Sequence, residues 1–413
     1  MVLGATVCAG CATGQTGSPN GVAGTAASVF GNVVSDAGGQ IEYWVEYGTS
    51  TAYGSQTAHQ TATVQQNALR GVLVSITGLQ RSTTYHYRVC AQDSQQKGGP
   101  GCGEDKQFAT VNVDCEDTIT ADLQLSGDLN CLDTGARDGP VVGADGIDID
   151  LAGHELRGAH LALANSGGFD DVTIHGGSLY AIGTALALDG ASRNSIRNVS
   201  AGLLESPLTG PSTNTGVEIE GGQANVIRRS TLIGSSVALS ATDSPGLLVA
   251  DSAAVSGSGS RDGGSAVSVR GDLARVLRND LDATVYVNGS SNRFVGNDVD
   301  AVGFGFDVTA GHDNRVVDNQ VHNTLVLPFM TDAGDGIIVR AEAIGTRLRG
   351  NVTTSNVDDG IDVRSPTTRL RDNRADDNGD FGIDAVSGVV DLGGNTASGN
   401  GNPLQCRNVF CGT

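Results

Sequence analysis

The sequence predicts an all-β chain in two parts, an antiparallel β-sandwich followed by a parallel β-helix of about eleven or twelve coils. Three observations carry this. Segments of the form apolar-x-x-Asn recur from Cys115 onward. The charge balance changes abruptly near Val111–Asp114. Sixty of 413 residues are glycine, and no stretch shows helical periodicity.

Composition narrows the classes. Glycine has no period of three and there are only 9 prolines, so collagen is excluded. Charged residues are 17%, too few for a coiled coil or for charge-driven disorder. The net charge of −21 disfavours nucleic acid and anionic membranes as partners, because phosphate binding needs clustered Lys and Arg. No run of about 18 apolar residues exists, so no helix is expected to cross a membrane. Residues 1–112 hold six acids and five bases, whereas the remainder holds 40 acids and 20 bases and no lysine. Any basic catalyst in the second part must therefore be Arg or His.

The eight cysteines fall in close pairs, Cys8/Cys11, Cys90/Cys102, Cys115/Cys131 and Cys406/Cys411. Even, local pairing predicts disulfides and an oxidising compartment, hence an extracellular or cell-surface protein. Cys8-x-x-Cys11 also has zinc-knuckle spacing, but no second knuckle follows. Met1–Val7 is apolar and leads into Ala9-Gly10-Cys11. That run resembles the end of a bacterial lipoprotein signal, which implies lipidation at Cys11 and makes residues 1–13 the remnant of an export signal. A plain frayed terminus is the alternative.

Residues 12–25 (ATGQTGSPNGVAGT) read as a Gly/Ser/Thr linker. Alternating runs follow at Ala27–Val34, Ile41–Tyr47, Gly71–Thr77 and Thr84–Ala91, separated by turn residues. Leu79, Thr83, Tyr85, Tyr87, Arg88 and Val89, with Tyr43-Trp44-Val45-Glu46-Tyr47-Gly48-Thr49, resemble a bacterial fibronectin type III domain over residues 14–112. The resemblance implies a spacer module in a secreted enzyme or adhesin. A Cys90–Cys102 staple would close its last hairpin across the turn at 97–101. Trp44 is either a sugar platform or core, and core is the commoner fate of a lone Trp in a small sandwich.

In residues 113–413 the asparagines of the repeated segments are Asn279, Asn297, Asn319, Asn351, Asn373 and Asn395. Weaker members precede them, such as Ile227…Ser230 and Val249…Ser252. A second motif interleaves, at Gly305-Phe306-Asp307-Val308, Gly336–Val339, Gly360-Ile361-Asp362-Val363 and Gly382-Ile383-Asp384-Ala385. A period near 22 with very short strands is the arithmetic of one coil of a parallel β-helix, stacked at about 4.8 Å. Asn at a repeated corner can bridge coils by its side chain and tolerates left-handed backbone. These repeats resemble the right-handed β-helix superfamily of pectate lyases and polygalacturonases. Thr118–Asp122 and Val142–Gly158 resemble its opening coil. The resemblance implies a Cys115–Cys131 cap at one end and Cys406–Cys411 at the other.

Candidate site residues follow from strand alternation. In Gly360–Arg364, Ile361 and Val363 point inward, Asp362 and Arg364 outward. One outward column reads Asp307, Ile338, Asp362, Asp384; its neighbour reads Thr309, Arg340, Arg364, Val386. Asp358-Asp359 forms the corner, aligned with Gly334-Asp335 and Asp380-Phe381. Extra residues at Gly202–Thr215, Ser256–Gly264 and Thr324–Gly334 would wall the same face.

Three readings of this face stand. Asp359 and Asp362 could serve as acid and base, with Arg364 beside them, and Asp358-Asp359-Gly360-Ile361 resembles the Asp-Asp corner of polygalacturonases. Their Gly-His-Gly and Arg-Ile-Lys motifs are absent. Asp335, Asp359 and Asp362, or Asp335 with Asp358 and Asp380, could instead hold Ca²⁺ while Arg340 or Arg364 abstracts a proton beside a uronate carboxylate, an arrangement that resembles pectate lyases. Arg340, with Asp307 and Asp384, would then bind an acidic sugar. Finally, Asp-Gly-Ile could be a corner consensus with Asp–Arg ladders between coils. Asp376-Asp377-Asn378-Gly379-Asp380 has oxygens at alternate positions, as a Ca²⁺ loop does. His154 and His175 fall on adjacent coils and read as ladder residues. The expected function is binding, with or without cleavage, of an extracellular acidic polysaccharide by an exported protein. The rival is a non-catalytic adhesin or structural rod.

Overall fold

The structure, a computed structural model, describes residues 11–94, 99–133, 135, 137–203, 214–256, 264–325 and 333–412. The chain divides into two compact units. One runs to Asp117 and includes 125–140 and 154–158; the other comprises 118–124, 141–153 and everything from Ala159. Among the described residues, no helix is long and apolar enough to cross a membrane.

The N-terminal unit contains a nine-stranded mixed sheet. The alternating runs form strands at Ala26–Ser35, Gly39–Gly48, Arg70–Thr77 and Thr84–Asp93, paired antiparallel. Their inward residues Val29, Val33, Ile41, Val45, Val74, Tyr87 and Val89 are fully buried. Trp44 is core rather than platform: it is 4% exposed, with the His59 ring stacked on it at 4.1 Å.

One expectation fails here. Residues 12–25 are not a linker, because Ala12–Val22 is a strand paired with Ala26–Ser35. Its glycines serve close approach, not flexibility. A Cβ on Gly14 would lie 2.2 Å from the Val89 carbonyl oxygen, and one on Gly17 2.5 Å from that of Phe30. Linker-like composition hid a strand that small residues let pack tightly.

The second unit is built from parallel strand pairs. A 13-stranded sheet takes one strand from each coil, from Thr118–Ile119 to Cys406–Arg407, and eleven of these strands lie between residues 130 and 400. The remaining coil strands form a 22-stranded array. The inward residues Val276, Phe294, Val316, Leu348 and Leu370 stack with zero exposure, as do Ile337, Ile361 and Ile383. Parallel register keeps like side chains above one another, so the core repeats coil by coil.

The asparagines form a buried ladder. Asn279, Asn297, Asn319, Asn351 and Asn373 each donate from Nδ2 to the next coil's Asn Oδ1 at 3.0, 2.9, 3.0, 3.0 and 3.0 Å. A second ladder joins Asn356, Asn378 and Asn400. The left-handed backbone, however, sits one residue earlier. Arg278, Gly296, Asp318, Gly350, Asp372 and Gly394 carry φ of 53–77°. The αL residue turns the chain, so that the following Asn points inward and spans the coils.

The disulfides Cys90–Cys102, Cys115–Cys131 and Cys406–Cys411 are all formed. Cys11 is also disulfide-bonded. One sulfur cannot hold both a disulfide and a lipid thioether. Residues 1–10 lie outside the described residues, as do 97–98 of the hairpin turn and 204–213, 257–263 and 326–332 of the expected insertions.

Cross-links of 16 and 5 residues remove roughly 3 and 2 kcal/mol of chain entropy from the unfolded state. Reduction is therefore expected to raise amide exchange around 118–131 and 396–412 while the coils at 265–370 keep their protection. Equal changes along all coils, read by hydrogen exchange with and without reductant, would contradict this.

Candidate functional site

The outward column is in register as Asp307, Ile338, Asp362 and Asp384, and it continues to Arg407 in the last strand. It is not a solvent-facing column, as alternation alone suggested. Asp307 is 2% exposed and Asp362 8%. The reason is that a guanidinium is bonded to each carboxylate. Arg340 binds Asp307 in a two-pronged pair at 2.8 and 2.9 Å. The Arg364 Nε donates to Asp362 Oδ2 at 2.7 Å, and Arg407 pairs with Asp384. In every pair the arginine side chain is the more exposed partner: 29% against 2%, 36% against 11%, and 55% against 15%. Asp307 thus positions Arg340 and does not itself meet solvent.

The corner acids are also brought in. The backbone N–H of Asp359 donates to Asp335 Oδ1 at 3.2 Å, and that of Phe381 to Asp359 Oδ1 at 2.8 Å. The corner needs glycine beside them, since a Cβ on Gly360 would lie 2.7 Å from the Gly382 carbonyl oxygen and 2.5 Å from Thr353 Oγ1. Stacked glycines let successive corners close up, which sinks the adjoining aspartates. Asp335 is 2% exposed and Asp359 7%.

Asp335, Asp359 and Asp362 each offer an oxygen within 4.8 Å of the other two. Burial, then the charges of Asp362, Asp359 and Asp358, push the Asp335 carboxyl up to about 8 against a single opposing backbone hydrogen bond. Burial likewise raises Asp359 to about 7, although the Phe381 N–H pulls the other way. The site thus contains carboxyls that hold a proton near neutrality beside an aspartate bonded to a guanidinium. Groups separated in this way suit acid–base work.

A second triad, Asp358, Asp359 and Asp380, shares Asp359. Ca²⁺ takes six to eight oxygens, so the buried triad with Arg364 against it does not fit that ion. The second triad fits better, because Asp358 and Asp380 are not buried and leave room for water ligands. The Asp376–Asp380 loop is not a cation loop. Asn378 turns inward into the ladder, while Asp376 is engaged by Arg374 and Ser398. His154 and His175 pair with Asp128 and Asp148, as ladder residues do.

Sequence reasoning missed Arg407, Phe304 and Phe381. Arg340 lies 5.2 Å from the Phe304 ring centre and Arg407 5.3 Å from that of Phe381. The signal for Arg407 was present: it stands 23 residues after Asp384 and continues the column.

Residues 265–408 match the family described as the right-handed β-helix region. The coil domain is a right-handed parallel β-helix. Among solved structures, the A-module of an Azotobacter vinelandii mannuronan C-5 epimerase is 12% identical and covers 72% of this chain and 88% of its own, with a TM-score of 0.41. A family 28 exopolygalacturonase of Yersinia enterocolitica is 8% identical over 96% and 98%, TM-score 0.32. The pectate lyase Pel9A is 14% identical over 68% of each chain, TM-score 0.32. No curated protein matches the sequence.

Proposed function

We propose that this protein is exported, that its N-terminal unit is a fibronectin type III spacer, and that its β-helix binds and hydrolyses an acidic extracellular polysaccharide. The observation that carries the reading is the buried triad, with proton-holding carboxyls set beside outward-facing guanidiniums. Asp359 is the general acid, poised near the working pH. Asp362 is the base. Asp335 accepts the Asp359 amide from beneath and positions it. Arg340, Arg364 and Arg407 meet sugar carboxylates with their exposed edges, and without them the −21 chain would repel such a substrate. Phe304 flanks Arg340 as an apolar surface for a sugar ring, while the buried Phe381 supports Arg407. The second triad, Asp358, Asp359 and Asp380, is the place for Ca²⁺ if the site takes one. Mass spectrometry of Cys11 separates a lipid from a disulfide there.

The non-catalytic rod or adhesin remains the second reading, favoured by the low exposure of Asp335. A panel of acidic and neutral polysaccharides decides, read by reducing ends and by absorbance of unsaturated products. Reducing ends without that absorbance are expected, falling about 10²–10⁴-fold in Asp362→Asn and with weakened affinity in Arg364→Ala. Full turnover or full affinity in both variants, folded by circular dichroism, would leave the corner as structure alone.

A further inference from the structure

The 22-stranded array carries a feature that the carboxylate site does not use. Five consecutive coils contribute the strands Arg275–Leu277, Arg293–Val295, Arg315–Val317, Arg347–Arg349 and Arg369–Arg371. Their first residues are in strict register, so Arg275, Arg293, Arg315, Arg347 and Arg369 stand in one column. At parallel-strand spacing the column is about 19 Å long. Arg349 and Arg371 continue the next outward column, above Leu277, Val295 and Val317. Seven arginines and no acid occupy these fifteen strand positions, in a chain whose net charge is −21.

The column is largely unneutralised. Arg275, Arg293, Arg315 and Arg369 are exposed and make no ion pair among the described residues. Arg347 reaches Asp313 only at 3.7 Å; in the neighbouring column Arg349 reaches Asp372 at 4.0 Å and Arg371 pairs with it at 3.1 Å. Folding does not call for arginine here. The inward residues already fix each strand, the outward position accepts any β-former, and like charges directly opposite on neighbouring strands destabilise a sheet. The repetition therefore points to a ligand.

We infer that this column is a second binding surface, which takes a linear polyuronate lying along the β-helix axis. A guanidinium fork matches a carboxylate, and a ladder with fixed spacing matches a polymer that presents one carboxylate per sugar. The half-buried Leu277, Val295 and Val317 beside it give sugar faces an apolar strip. Duplex nucleic acid fits less well. The next outward positions around the coil carry Asp280, Asp282, Asp298 and Asp300, which a wide duplex would cover with its second strand, whereas a single uronate chain keeps to the arginine column. The surface lies on a different sheet from the carboxylate triad and stands whether or not that triad cleaves anything.

The test uses the full chain, with oligogalacturonate, dextran and duplex DNA as probes, in titration calorimetry at two salt concentrations. Oligogalacturonate is expected to bind, more weakly at high salt, while dextran does not. Arg293→Gln/Arg315→Gln/Arg369→Gln should bind it at least about tenfold less tightly, with an unchanged circular dichroism spectrum. Arg315→Gln alone should show a smaller loss of the same sign and serves if the triple variant misfolds. Arg364→Ala, which removes a proposed uronate contact at the carboxylate site, should leave this component of the binding in place, so that failure of the column and failure of the carboxylate site are read separately. Unchanged affinity in the arginine variants, or duplex DNA bound as tightly as the uronate, overturns the inference.

Discussion

Asp335→Asn is expected to unfold at a higher temperature than the native protein at pH 8, and at the same temperature near pH 4. The sign follows from the raised Asp335 pKa of about 8, against 3.8 ordinarily. Below both values the carboxyl is protonated whether the chain is folded or not, and it costs nothing. As pH rises between them, the unfolded chain releases its proton while the folded chain retains it. The unfolded state gains by up to about 1.4 kcal/mol per pH unit over that window. Above about 8 the native carboxyl must ionise among other acids, and the full cost stands. The amide of Asn keeps the shape and an acceptor for the Asp359 N–H without ever bearing charge. Thermal denaturation across pH 4–8 should therefore show a gap of several degrees that opens with pH. If the gap is absent, Asp335 is not a strained carboxyl, and the basis for acid–base chemistry weakens with it. A stabilising substitution that also lowers turnover is the signature expected of a functional rather than a structural residue.

The coil architecture was legible because a solenoid repeats its requirements. Every corner needs a sharp turn and every interior position an apolar residue, so Asn351 or Ile361 has counterparts one coil away on either side. The register of Asp307, Asp362 and Asp384 followed from the same arithmetic. Depth was not legible. Alternation gives direction relative to the sheet, but whether an outward aspartate meets water depends on which arginine lies over it. That depends in turn on side chains of other coils, as with Arg340 over Asp307. The strand Ala12–Val22 was hidden for a related reason. Glycine marks flexibility and close packing alike, and only the neighbouring backbone, here Val89, separates them. The arginine column was not legible, because coils of unequal length separate its members and only the strand register brings them into line.

Asn351→Ala is expected to be among the most damaging single substitutions in the coils. The side chain has no exposure and all four of its hydrogen-bonding positions are used. Its Oδ1 accepts from the Asn319 backbone N–H at 3.1 Å and from Asn319 Nδ2 at 3.0 Å. Its Nδ2 donates to the Val316 carbonyl at 2.8 Å and to Asn373 Oδ1 at 3.0 Å. Alanine would strand most of those partners in a dry interior and open a small cavity. Asn373 Oδ1 keeps the Asn351 backbone N–H, so three groups are stranded; at the lower half of about 1–3 kcal/mol each, a total loss on the order of 3–5 kcal/mol is expected. Asn351→Asp, nearly identical in shape, should also destabilise, because a protonated carboxyl has one donor where two are needed and a carboxylate has none. It would place a carboxylate against the Val316 carbonyl and Asn373 Oδ1, where donors are required. The contrast separates hydrogen bonding from packing, because a purely steric role would tolerate Asp and not Ala. Urea denaturation of both variants, with hydrogen exchange to localise the effect, should show protection lost first in the coils flanking Asn319 and Asn373. A loss below about 1 kcal/mol in both would mean that the ladder follows from the fold rather than holding it together.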